Sequence, residues 1–307
     1  MRYMNQLAGF MLAIVFLAAC KKSGPGEGPD ISGQGVVKPA GTVAGNTITK
    51  TIGIDGGFIQ SPDSKIRVNI PAGAVNENTD FSLTPITNTN TGGLGKGWRI
   101  MPHGQEFQQP VTITIDYTDV KDSISMIDAL AFAYQDAEGV WQCVGRSSID
   151  TLNKKITVET NHFSDWVIMS TVTLKPVTKE VNGGESVTLE VLECVQPHGE
   201  DDDIFVPIPA GNTPRPVRDY APLSAKYIKQ WTLGGPGNLQ ANGNKATYLS
   251  PAVIDEEQVV AVSVELKAAP TQTNSLWLVS NLTLVGNKPK IYYLEVDEKN
   301  DALYIHG

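Results

Sequence analysis

From about residue 50 onward, hydrophobic and polar positions alternate with a period of two. Ile66, Val68 and Ile70 alternate with Lys65, Arg67 and Asn69, and Val111, Ile113, Ile115 and Tyr117 with Thr112, Thr114 and Asp116. Leu130, Phe132 and Tyr134 run into the turn Asp136-Ala137-Glu138-Gly139, and Val140 to Val144 starts a return strand. Ile156 and Val158 mark another strand. Beyond residue 172 the alternation resumes in Val187, Leu189 and Val191, in Tyr227 to Leu233, in Val260 to Leu266 and in Leu276 to Leu284. This is the pattern of half-buried strands. Only Asp119 to Ile127 predicts a short helical turn. The chain reads as all-β, with two tandem β-sandwiches over 48–171 and 172–288 and a C-terminal strand or hairpin over 289–307.

Two stretches break the pattern. Residues 20–47 are rich in Gly, Pro and Ser and read as a flexible tether. Gly199 to Ala225 holds five prolines and no periodicity. Long aperiodic loops are often functional. Arg215, Arg218 and Tyr220 are its interface-type side chains, which makes them candidate ligand contacts. The other reading is a covering loop that packs on its own sheet.

Composition supports this picture and excludes one class of partner. Hydrophobic residues make up 41% and charged residues 19%, enough to bury real cores. With 24 Lys and Arg against 33 Asp and Glu, the net charge of −9 argues against a nucleic-acid binder. Of the cysteines, Cys143 and Cys194 fall in different sandwiches and read as buried free thiols, with a bridge as the alternative.

Residues 1–19 form a targeting segment. Arg2 supplies positive charge, and Leu7 to Phe16 form an apolar core too short to span a bilayer as a stable helix. The segment ends Leu17-Ala18-Ala19-Cys20, which resembles the lipobox of bacterial lipoproteins. That resemblance implies acyl chains on Cys20, including a diacylglycerol, and permanent attachment to a membrane of the cell envelope. Lys21, rather than Asp, follows the cysteine, which under the lipoprotein sorting rule implies the outer membrane.

Three stretches between residues 50 and 170 resemble the ZU5 domain, a β-sandwich. They are Gly56-Gly57-Phe58 with Val68-Asn69-Ile70-Pro71-Ala72-Gly73-Ala74-Val75, then Pro102-His103-Gly104-Gln105-Glu106-Phe107 with Pro110-Val111, and finally His162-Phe163-Ser164-Asp165-Trp166-Val167. The second region is similar to bacterial immunoglobulin-like domains through Trp231, Gly237-Asn238-Leu239, Gly243, Ala246, Tyr248 and Pro251. It lacks the paired inter-sheet cysteines of antibody domains.

In some ZU5-bearing proteins the His-Phe-Ser tripeptide cleaves itself. The resemblance implies that Ser164 attacks the Phe163 carbonyl, that His162 acts as base, and that water hydrolyses the resulting ester. The alternative is structural, with His162 and Ser164 bonding along a strand and Phe163 in the core.

Other chemistry is not nominated. There is no Gly-x-Ser-x-Gly elbow, no His-Glu-x-x-His helix and no Cys-x-x-Cys pair, so no metal or cofactor is expected. His103, His198 and His306 read as ordinary loop or tail histidines. Asp201-Asp202-Asp203 lacks the alternate spacing of a calcium loop and reads as a solvated acidic turn. The expected function is a membrane-anchored, non-enzymatic binding, adhesion or scaffold module with a protein or glycan ligand. The alternatives are a self-cleaving module and a glycan hydrolase, for which no acidic pair is evident.

Overall fold

The computed structural model of the chain describes residues 34–196, 204–207, 213–268, 275–286, 293–297, 299 and 302–306. The targeting segment, Cys20 and the run Asp201 to Asp203 lie outside the described residues.

The first sandwich is built from β1 Ile48–Ile52, β2 Gly57–Gln60, β3 Ile66–Ile70, β4 Thr79–Ile86, β5 Gly93–Met101, β6 Glu106–Asp116, β7 Leu130–Gln135, β8 Trp141–Gly145, β9 Ser148–Asp150, β10 Lys155–His162 and β11 Asp165–Ser170. One sheet runs β1-β4-β5-β11-β7-β8, and the other runs β2-β3-β6-β10-β9. Alternation explains the second sheet. Ile66, Val68 and Ile70 of β3 are buried while Arg67 and Asn69 are exposed. On β6, Val111, Ile113 and Ile115 point into the same core. Two 3-10 turns, Thr118–Ser123 and Ile127–Ala129, occupy the stretch predicted as helical.

The later strands are β12 Val172–Lys175, β13 Thr178–Val181, β14 Ser186–Glu193, β15 Arg215–Pro216, β16 Ala221–Pro222, β17 Ile228–Gly234, β18 Asn238–Asn242, β19 Lys245–Leu249, β20 Gln258–Leu266, β21 Leu276–Leu284, β22 Tyr293–Asp297 and β23 Ala302–His306. They form the sheets β12-β14-β19-β18 and β13-β21-β20-β17, with β13 parallel to β21. Their shared core includes Leu189, Val191, Tyr248, Val262 and Leu278. The chain ends in the antiparallel hairpin β22–β23.

The proline-rich segment is stitched to both sandwiches. β15 extends the large sheet beyond β8, and β16 pairs with β14. Prolines fit here because edge positions do not require their missing N–H. Val217 donates its N–H to the Trp141 carbonyl and Arg218 to that of Cys194, each at 2.8 Å. The segment therefore roofs the outer face of the large sheet. Ala131, Ala133, Trp141, Cys143, Val167 and Met169 lie beneath Cys194, Val195, Val217 and Tyr220. As a result β7 and β11 are buried on both faces, and every residue of β11 is buried.

Residues 34–47, read as part of the tether, are docked along the first sandwich. Val37 bridges to Val140 and Val43 to Ile86, and the Lys38 N–H reaches the Gly139 carbonyl at 2.9 Å. The isolated valines and backbone bonds that hold this stretch leave no periodic signal.

Cys143 and Cys194 are free thiols in the same buried cluster. Burial pushes Cys143 up to about 11 and pushes Cys194 up further, so neither yields thiolate at neutral pH. Both should be silent toward a water-soluble disulfide reagent in the folded chain and react after denaturation. Prompt reaction of either in the native chain would show that the roof is open.

Candidate functional site

The tripeptide His162-Phe163-Ser164 sits where the chain crosses between the two sheets of the first sandwich. β10 pairs with β6 on one side of the crossing, and β11 pairs with β5 and β7 on the other. Phe163 fixes the crossing by burying its ring against Phe107 and Phe81, with centroids 4.7 and 5.7 Å away. The Gly104 N–H donates to the Phe163 carbonyl at 3.3 Å, and the Ile100 N–H to the Ser164 carbonyl at 3.1 Å. Gly104 holds φ +72° in the β5–β6 turn, a conformation that favours glycine.

The turn after β5, the turn after β7 and this crossing frame a cleft of about 720 Å³. Arg99, Met101, His103, Tyr134, Asp136 and His162 are among its walls. Its most constrained group is the carboxylate of Asp165, which is 3% exposed. Arg99 and Asp165 are cross-strand partners on β5 and β11. Arg99 donates to both carboxylate oxygens, from Nε at 2.8 Å and from Nη2 at 2.7 Å. His103 Nε2 lies 3.2 Å from the same carboxylate. Burial opposes ionisation of Asp165, but the bonds from His103 and Arg99 outweigh it and hold its carboxyl below the ordinary range.

Sequence reasoning nominated His162 and Ser164, and the structure places both on this cleft. It does not bond them to each other. The Ser164 hydroxyl donates to the Gln135 carbonyl. The His162 ring packs edge-on to Tyr134 with centroids 4.5 Å apart, and stacks on Trp166 at 5.6 Å. Burial lowers the His162 pKa, which favours the neutral ring at neutral pH. None of the three residues has a positive φ. Arg99, His103 and Asp165 were missed as a group because only strand register brings them together. A second cleft of about 440 Å³ lies on the other side of Tyr134 and His162, which line both. Arg146, Glu159, Asn161 and Trp166 are among its walls.

The other nominated residues belong to the roof. Arg215 pairs with Cys143 across β15 and β8, and its Nη1 donates to the Gln196 carbonyl at 3.0 Å. Lys175 lies over the Tyr220 ring, 4.0 Å from its centroid. Arg218 approaches Glu193 of β14 at 3.7 Å, too far for a hydrogen bond. Glu193 Oε2 and Arg218 Nε are buried without partners. Desolvation therefore prevails over the attraction, and burial pushes Glu193 up to about 7. Among the described residues no group of three His, Cys, Asp or Glu side chains could hold a metal ion.

A scan against protein-family models finds no match, and a search of curated proteins finds none. Among solved structures the chain is similar to the N-terminal domain of the Streptococcus gordonii adhesin Sgo0707. Identity is 11%, the alignment covers 84% of this chain and 95% of that one, and the TM-score is 0.17. A superposition that loose assigns no shared function, and the all-β class rests on the strands themselves.

Asp165→Asn should cost about 1.5–3 kcal/mol at pH 7, because it removes the charge from a buried carboxylate that the partly exposed Arg99 bonds twice. Asp165 has a depressed folded-state pKa, so its contribution is present above the ordinary carboxylate range and is lost as pH falls through the folded value. Urea unfolding at pH 7 and pH 3 should show a smaller acid loss in the variant than in the parent. Glu193 has the opposite sign. Its folded pKa is raised, so stability falls as pH rises between about 4.5 and about 7. Glu193→Gln should melt near the parent at pH 4.5 and above it at pH 8.

Proposed function

We propose that the chain is a membrane-anchored bacterial envelope lipoprotein whose two β-sandwiches form a non-enzymatic binding module. The observation that carries this reading is the cleft. Three connections from rigid strands converge on it, and the pairing of Arg99 with the buried Asp165 carboxylate fixes their spacing. Binding residues held on loops above a rigid scaffold are the usual arrangement of a recognition site. The lipobox-like Leu17 to Cys20 supplies the anchor, and the residues between Cys20 and the docked arm supply the spacer. The ZU5-like and immunoglobulin-like resemblances belong to the same reading, as do the outer-membrane location and a protein or glycan ligand.

The commitments of the polar groups support the non-enzymatic assignment. The Ser164 hydroxyl is spent on a carbonyl, which cannot take its proton. Two carboxylates, Asp136 and Asp165, line the cleft, as a glycan hydrolase would require. Asp165 is held ionised by Arg99, and Asp136 accepts from the Glu138 and Val140 N–H groups and from Gln142 Nε2. With both oxygens bonded by Arg99, Asp165 is not placed to donate a proton. A second reading, single hydrolysis of the Phe163–Ser164 bond, is favoured by one observation. The Gly104 N–H already polarises the carbonyl that Ser164 would attack.

Two measurements on the full chain, expressed with its own leader, test the proposal. Cys20→Ala should move the protein from the membrane to the soluble fraction. Intact mass under denaturing conditions should show one unbroken mature chain, both in the parent and in Ser164→Ala. Two pieces in the parent and one in Ser164→Ala would replace the binding module with the self-cleaving one. Because the two pieces would be of equal length, mass rather than a gel must be read.

A further inference from the structure

We infer that the two clefts flanking Tyr134 and His162 are one binding site for a neutral, hydroxyl-rich saccharide chain. The inference rests on the binding-module reading and names the ligand class for it.

Shape comes first. The clefts measure about 720 and 440 Å³ and share Tyr134 and His162 as a common wall. Clefts of roughly 300–1,000 Å³ are the usual size for small ligands. An extended chain lying across the shared wall would fill both, with successive units on either side. The wall itself is aromatic: Tyr134 stands edge-on to His162, and His162 stacks on Trp166. Sugar rings offer C–H faces to aromatic surfaces and keep their hydroxyls for the rim.

Charge comes second. Arg99 is neutralised by Asp165 in the first cleft, and the Asp136 carboxylate accepts from its own turn and from Gln142. In the second cleft Arg146 is held by Asp128 and by the Asp128 and Leu130 carbonyls, and Glu159 supplies a carboxylate on the wall. Neither cleft carries an excess positive charge that would call for an anionic ligand. What remains to bond is mixed. Arg99 Nη1 is a donor without a hydrogen-bond partner among the described residues, the Tyr134 hydroxyl can donate or accept, the Asn161 amide does both, and Glu159 accepts. Hydroxyl groups satisfy donors and acceptors alike.

The test titrates the full chain in detergent with maltohexaose, cellohexaose and mannohexaose, with trigalacturonate as the charged counterpart. Calorimetry gives affinity, and the part of the tryptophan emission change lost in Trp166→Phe reports on Trp166 beneath His162. The expected result is binding of at least one neutral hexaose with Kd below about 1 mM, accompanied by an emission change. That binding should weaken by about tenfold in His162→Ala and by about threefold or more in Tyr134→Phe and Asn161→Ala, each of which loses ligand-facing bonds. The last two changes remove little packing and serve where His162→Ala fails to fold. Silence of all three neutral probes overturns the inference, as does binding of the charged probe alone. Neutral binding that survives all three substitutions overturns the site while keeping the module. Chain scission in the mass measurement overturns the module itself, whichever sugar binds.

Discussion

A carboxylate buried beside a core costs several kcal/mol to desolvate unless a partner meets it with good geometry. Arg99 meets Asp165 with two bonds across the β5–β11 register, and a third group, His103, closes on the same carboxylate. The pairing has structural consequences in both directions along the chain. Toward the amino end, Arg99 Nη2 also bonds the Gly41 carbonyl at 3.1 Å and so ties the docked arm to the large sheet. Toward the cleft, it sets where Ser164 and the crossing begin, because Asp165 is the first residue of β11. The cleft's dimensions follow from this one ion pair and from the Phe163 wedge behind it.

The roof over the large sheet is the second constraint. A sheet face of Ala131, Ala133, Trp141, Cys143, Val167 and Met169 would be an apolar patch if left open. The chain covers it with its own proline-rich segment, which carries few backbone donors and suits a sheet edge. That roof also brings Glu193 and Arg218 out of water at a spacing where neither satisfies the other. Burying the patch outweighs the imperfect pair, since several apolar side chains at about 1.5–3 kcal/mol each exceed the loss at one ion pair.

Strand positions were legible because one buried face writes a two-residue period, as in β3 and β6. The period fails where both faces are covered. β11 reads Trp-Val-Ile-Met without alternation, and Ala131 and Ala133 interleave with Leu130 and Phe132 in β7. Nothing local says which segment supplies the second cover, so the roof reads as a loop with two open roles, contact through Arg215, Arg218 and Tyr220 or cover of its own sheet. The docking of residues 34–47 was hidden for the same reason. The site was half legible. His162 and Ser164 stood out as a motif, and Phe163 was correctly given a core alternative. Arg99 and His103 were not legible, because their meeting with Asp165 depends on register between strands more than sixty residues apart for Arg99 and Asp165.

The same packing bears on how the crossing can act. Cleavage at Phe163–Ser164 needs a hydroxyl facing a base and a peptide pushed toward tetrahedral geometry. Here the hydroxyl faces the Gln135 carbonyl, the imidazole is held by two aromatic rings, and Phe163 rests among Phe81 and Phe107. Each of these contacts would have to be given up to bring His162 onto Ser164. Each also holds the ridge that separates the two clefts. The interactions that make this junction rigid are the ones that bringing His162 onto Ser164 would break, so rigidity and cleavage would compete for the same side chains.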